Sequence, residues 1–260
     1  MKMSSSLSFV GLTAASFSPA SAALVAYFPL DGPEGATVSE IVPTIDDPNH
    51  GVTTGVPNNN AATWVNDATR GSVLNSPDGN RFLAGTQGID LTTGFTWSFW
   101  AKVDSATGGS DAIVGTRNGS WHKITPASGV DGNGFVDFTY SGGLNLADGT
   151  WHHYGYVGTD NGTANPGTVT VTLYIDGAPV GTDTTAAGLT YEGQMEIGGS
   201  TRFNEFATVL LDDLAIWNSA LSESEIQTLA AGGPIPEPSS SLFLGLGLAA
   251  LTGFRRRGRN

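Results

Sequence analysis

The chain has 260 residues, with 36 glycines, 13 prolines and no cysteine; only 13% of its residues are charged, yet the net charge is −13. Without cysteine, disulfides, thiolate-bound zinc and thiol catalysis are excluded together. The acidity deepens to −17 between Ala23 and Gly232, where six Lys and Arg face 23 Asp and Glu. Nucleic acid and anionic lipid are therefore poor partners, and divalent cations good ones.

At the N-terminus Lys2 precedes a short apolar run, Leu7 to Phe17, and Ala20-Ser21-Ala22 follows as a small-x-small pattern. This predicts a signal peptide over 1–22, cleaved between Ala22 and Ala23. The first strand signal is Leu24-Val25-Ala26-Tyr27-Phe28. In Phe95 to Lys102 the alternation puts Phe95, Trp97 and Phe99 on one face. Phe135 to Tyr140 and Val169 to Ile175 are β-branched or aromatic runs. Asp176-Gly177 directly after the second run predicts a two-residue type I′ hairpin, returning from Pro179-Val180. Leu210 to Trp217 is a late strand. One helix is indicated: Ser222 caps it, Glu225 completes a capping box, Ile226 and Leu229 face inward, and Gly232 ends it. Numerous short strands joined by Gly, Pro and Asn turns predict an all-β sandwich or barrel over 23–232, with one short C-terminal helix.

Beyond the helix, Gly232-Gly233-Pro234-Ile235-Pro236 reads as a linker. Next come Pro236-Glu237-Pro238, three serines, an uncharged run from Leu242 to Phe254, and Arg255-Arg256-Arg257-Gly258-Arg259. As a helix that run spans about 20 Å, short of the ~30 Å hydrocarbon core, and starting the segment at Ser239 leaves it marginal. The arginines place the C-terminus on the cytoplasmic side. The segment 239–254 thus reads as a temporary stop in the inner membrane.

The tail 233–260 resembles the PEP-CTERM sorting signal, whose motif Pro236-Glu237-Pro238 matches. The resemblance implies recognition and removal by an exosortase-type enzyme, in bacteria that make exopolysaccharide. The body resembles the laminin-G-like, concanavalin A-like jelly roll, an antiparallel two-sheet sandwich. The residues that carry this are Leu24 to Gly32, Asn49-His50-Gly51, Gly94 to Lys102, Asp148 to His153, Leu173 to Gly177 and Leu211 to Leu229. That fold carries lectins, adhesive modules, glycanases and structural domains alike.

By the same resemblance, Asp31, Asn49, the Gly51 carbonyl and Asp213 would hold a calcium ion at one rim, a chemistry suited to mixed carboxylate, amide and carbonyl oxygens. The plainer alternative makes Asp31-Gly32 and Asp47-Pro48-Asn49 turn formers only. Asp212 and Asp213, as strand neighbours, should point to opposite faces, leaving Asp213 as the ligand. His152 and His153 diverge for the same reason and read as packing and hydrogen-bonding residues, as do the loop residues His50 and His122. Glu192 and Glu196 match the outer positions of the glycanase pattern Glu-x-Asp-x-Glu, but the middle residue is Gln194, which cannot titrate. Trp64, Trp121, Tyr140 and Tyr191 lie in or beside Gly/Asn-rich stretches and suit either sugar stacking or sandwich-edge packing. The expectation is an exported, non-catalytic module of the cell surface or matrix that binds glycan, including exopolysaccharide, or another surface component. A glycoside hydrolase and a structural envelope protein are the alternatives.

Overall fold

The computed structural model describes residues 23–38, 40–42, 45–46, 56–57, 62–85, 94–116, 123–126, 144–184, 194–200 and 204–235. The expected signal peptide over 1–22, the sorting tail beyond Ile235 and the Phe135 to Tyr140 run lie outside the described residues.

The first half of the chain supplies β1 (Leu24–Phe28), β2 (Ile45–Asp46), β3 (Val56–Pro57), β4 (Thr63–Asp67), β5 (Gly71–Ser76), β6 (Phe82–Gly85), β7 (Phe95–Val103), β8 (Val114–Thr116) and β9 (Lys123–Ile124). The second half supplies β10 (Trp151–Asp160), β11 (Val169–Ile175), β12 (Ala178–Thr184), β13 (Gln194–Ile197), β14 (Gly199–Ser200), β15 (Glu205–Phe206), β16 (Val209–Trp217) and the helix α1 (Glu223–Ala230).

A nine-stranded antiparallel sheet runs β12-β11-β10-β7-β16-β1-β2, with β5 beside one end of β16 and β4 beside β5. A five-stranded sheet runs β3-β6-β13-β8-β9, and β14 and β15 form a small ribbon. Apolar side chains from both sheets share one core: Phe28, Trp97, Phe99, Tyr154, Tyr156, Val171 and Leu173 from the large sheet, Phe82, Val114, Met195 and Ile197 from the small one. Phe99 stacks on Tyr154 with ring centroids 5.0 Å apart. This is the all-β sandwich that the sequence predicts, built by period-2 strands burying one face each.

The large sheet is also covered on part of its outer face. A second cluster joins Leu24, Val157, Ala215 and Trp217 to Leu221, Ile226 and Leu229, so α1 lies on the outside of the sheet. This explains why Thr96 and Ser98, on the face opposite Trp97, are buried as well. Thr96 is satisfied there: its hydroxyl donates to the Ser219 carbonyl at 2.9 Å and accepts from the Leu221 amide at 2.9 Å.

The local predictions hold. Asp176 and Gly177 both have positive φ, 51° and 81°, as a type I′ turn between β11 and β12 requires. The Glu225 amide donates to Ser222 Oγ while the Ser222 amide donates to Glu225 Oε2 at 2.7 Å, closing the capping box. Gly232, with φ 74°, ends the helix, and the Gly233 amide donates back to the Thr228 carbonyl at 2.8 Å. The expected linker does not leave the body at that point. Ile235 packs against the outer cluster, because α1 ends beside an apolar surface that Ile235 helps to cover.

Helix α1 is anchored by Ile226, which is 0% exposed. Truncation by Ile226→Ala should cost about 3 kcal/mol in urea unfolding, and Ser222→Ala about 1 kcal/mol. Equal, small losses for the two would mean that the helix is not packed on the sheet.

Candidate functional site

Past the end of α1 the outer face of the large sheet is open, and a cleft of about 320 Å³ lies there. Its floor is a row of side chains across three strands, His153 of β10 opposite Trp100 of β7, and Trp100 opposite Asp212 of β16. One wall is Leu229, Gly232, Gly233 and Ile235; the other is Thr69 and Arg70, with Asp31 and Asp213 at the side.

Asp31 arrives from the loop after β1. That loop is pinned to β5, since the Gly32 amide donates to Ser72 Oγ at 2.8 Å and Ser72 Oγ donates to the Gly32 carbonyl at 2.6 Å. Arg70 arrives on the turn between β4 and β5. Asp67 Oδ1 shapes that turn by accepting the Thr69 and Arg70 amides at 2.8 and 3.3 Å.

Strand β16 changes partner at the site. It pairs with β5 through Val209 to Leu211 and with β1 from Leu214 onward. Between them a bulge interrupts the pairing with β7, and Asp213 adopts φ 52°. The bulge adds a residue, so alternation fails there. Asp212 and Asp213 therefore do not point apart as strand neighbours should. Both reach the same guanidinium: Arg70 Nε donates to Asp212 Oδ2 and Arg70 Nη2 to Asp213 Oδ2, each at 2.5 Å. Tyr27 donates its hydroxyl to the other oxygen of Asp213. The guanidinium carbon stands 4.3 Å from the Trp100 ring centroid and 5.6 Å from that of Trp151, so aromatic faces hold the cation as well.

Burial and like charge perturb the acids. Burial, then Asp213, pushes the Asp212 carboxyl up to about 7, with Arg70 pulling the other way. Burial, then Asp213, also raises Asp31. His153 is 1% exposed, with Nε2 2.8 Å from Ser98 Oγ. Burial, aided by the Arg70 charge, lowers its pKa to about 4, so it is neutral near pH 7.

The structure brings Asp31 and Asp213 together; Asn49, Gly51, Trp121, Tyr140, Tyr191, Glu192, His50 and His122 lie outside the described residues. Both Asp213 oxygens and one Asp212 oxygen are already bonded within the protein. Among the described residues, no group of three or more His, Cys, Asp or Glu is arranged to hold a metal ion. Of the four residues of the expected calcium site, Asp31 and Asp213 are thus described, and Arg70 occupies Asp213.

Trp64 is 8% exposed and belongs to the core. Its ring lies on Gly32, where a Cβ would come within 2.3 Å of it, so the stacking role suggested by its polar neighbours gives way to packing. Glu196 is 0% exposed and paired with Arg81 at 3.3 Å. His152 and His153 diverge, His152 Nδ1 lying 2.7 Å from Asp176 Oδ2. Arg70, Trp100 and Asp212 are the site residues that sequence reasoning missed. Arg70 carries one of only six positive charges in an acidic body, and that scarcity was the available signal.

The chain belongs to the concanavalin A-like lectin/glucanases superfamily, whose family profile matches residues 71–227. A PEP-CTERM protein-sorting motif matches residues 234–257 and marks the chain as an exported cell-surface protein. No curated protein sequence matches this one. Among solved structures it is similar to domain 4 of AbnA, a GH43 extracellular arabinanase from Geobacillus stearothermophilus in complex with arabinotriose. The identity is 18% and the TM-score 0.57, over 81% of this chain and 99% of that one. It is also similar to the binding domain of Paraclostridial Mosquitocidal Protein 1, at 16% identity and TM-score 0.53, over 81% of this chain and 52% of that one. The botulinum neurotoxin serotype D binding domain aligns at 15% identity and TM-score 0.52, again over 81% of this chain and 52% of that one. At such identities these likenesses speak for the fold.

Two outcomes follow from the cleft. Arg70→Met strands two neighbouring carboxylates and should cost about 2–4 kcal/mol. Calcium should then raise the melting temperature of the variant more than that of the wild type, because calcium takes carboxylates that Arg70 no longer holds. Equal shifts in both proteins would place any calcium elsewhere.

The second concerns pH. His153 has a depressed pKa, so its stabilising neutral state is fully present above the unfolded value of 6.5 and is lost as pH falls toward about 4. Relative to wild type, His153→Phe should therefore gain about 3 kcal/mol between pH 7 and pH 4 in denaturant titrations. A gap independent of pH would show that His153 titrates normally.

Proposed function

We propose that this chain is a non-catalytic, carbohydrate-binding module of the bacterial cell surface, with the Arg70 cleft as its ligand site. The observation that carries the reading is the cleft itself. Acids, a guanidinium and Trp100 converge on an open sheet face, and a volume of about 320 Å³ falls in the range of small-ligand pockets. Sugars are recognised by such mixtures, since charged and amide groups bond hydroxyls while an aromatic surface packs on C–H faces. Membership of a lectin/glucanase superfamily supports this, as does the arabinotriose bound to the similar arabinanase domain.

The carboxylate geometry supports binding over hydrolysis. Glycoside hydrolysis uses two carboxyl groups about 5–9.5 Å apart on either side of the scissile bond. Here Asp212 and Asp213 close on a single guanidinium, and Glu196 is sealed against Arg81. In this reading the sorting motif hands the protein to an exosortase-type enzyme, after transient residence in the inner membrane, and exopolysaccharide is the nearest source of ligand.

A glycan array followed by titration calorimetry tests the proposal. Trp100→Ala should weaken binding of the retained glycan roughly tenfold or more while the protein stays folded. Unchanged affinity would remove the cleft as the site, and release of reducing sugar from a bound glycan would overturn the non-catalytic reading.

A further inference from the structure

The charges in the cleft do not balance. Asp31 and Asp213 face one guanidinium beside Asp212, whose carboxyl is partly neutral near pH 7, and among the described residues no lysine lines the cleft. Arg70 is spent on Asp212 and Asp213. Asp31 is exposed and forms no hydrogen bond or ion pair with any described residue. It also sits close enough to Asp213 for that carboxylate to oppose its ionisation. A second feature points to an absent group. His153 is 1% exposed and lines the cleft, yet its Nδ1 has no hydrogen-bond partner. A buried ring nitrogen without a partner is costly unless something outside the protein meets it. Because His153 stays neutral, it does not repel a cation. An anionic sugar such as a uronate would enter against the surplus negative charge, whereas a neutral sugar would leave Asp31 uncompensated.

We propose, building on the glycan-binding reading, that the cleft selects an amine-bearing glycan: a hexosamine polymer with free amino groups, one ammonium lying against Asp31. The ammonium supplies the positive charge that the protein lacks there, and its donors suit carboxylate oxygens. The body's net charge of −17 steers such a polymer toward the protein and repels acidic polymers.

The test is calorimetry on the full-length protein under mildly acidic conditions that keep the amine protonated. The probes are glucosamine oligomers, N-acetylglucosamine oligomers of equal length and galacturonate oligomers. The free-amine oligomer should bind about tenfold tighter than its acetylated counterpart, the advantage shrinking as salt rises, and the galacturonate oligomer should bind weakest. Asp31→Asn, at an exposed position bonded to no described residue, should remove the preference while leaving the melting temperature unchanged or slightly higher, since it relieves repulsion with Asp213. Equal or tighter binding of the acetylated or acidic oligomer overturns the selection while leaving glycan binding intact. A preference that survives Asp31→Asn overturns the assignment to this cleft. Retention of none of these probes, nor of any glycan on an array, overturns the binding reading itself.

Discussion

Arg70 lies across two aspartates that a regular strand would send to opposite faces, and the architecture of the outer sheet surface follows from that contact. β16 must satisfy β7 along its whole length while exchanging β5 for β1 on its other edge. The exchange needs an irregularity, and the bulge at Asp212 and Asp213 supplies it. A bulge that turns two carboxylates toward one side, one of them 5% exposed, requires a cation nearby. The β4–β5 turn delivers that cation, and Trp100 and Trp151 give it apolar faces to rest on. The loop after β1, which carries Asp31, is drawn in because β1 begins its pairing with β16 just beyond the bulge.

The second constraint is that the large sheet is buried on both sides over part of its area. Its inner face makes the sandwich core, while its outer face carries α1 over Val157, Ala215 and Trp217. The helix covers only that region. Where it stops, Gly232 to Ile235 form a rim, and the part of the sheet beyond it becomes the cleft floor. The residues of that rim adjoin and enter the matched sorting motif, which starts at residue 234. Ile235, within the matched motif, thus lines the proposed binding surface.

Local rules were legible in the chain and tertiary ones were not. The hairpin at Asp176-Gly177, the capping box of Ser222 and Glu225, and the alternation of Phe95, Trp97 and Phe99 each depend on a few adjacent residues. Trp64 was ambiguous because composition around a tryptophan does not say which surface its ring meets; Gly32, thirty-two positions away, provides that surface. The buried state of Thr96 and Ser98 likewise needed the helix to be placed before it had a cause.

Asp212 is the sharpest case of the division. Period 2 excludes it from sharing a site with Asp213, and period 2 is a sound rule for any strand with a constant partner. What the amino-acid order determined by itself was the all-β class, the capped helix after the last strand, the acidic and cysteine-free body, and the sorting tail. All of these are properties of composition or of contacts within a few residues. Only the tertiary structure decided that Asp212 and Asp213 meet Arg70, since the bulge arises from a change of strand partner and Arg70 lies 142 positions from Asp212 along the chain. A charge pair of that separation leaves no periodic mark in the sequence, because it exists only once the strands between have closed the sheet.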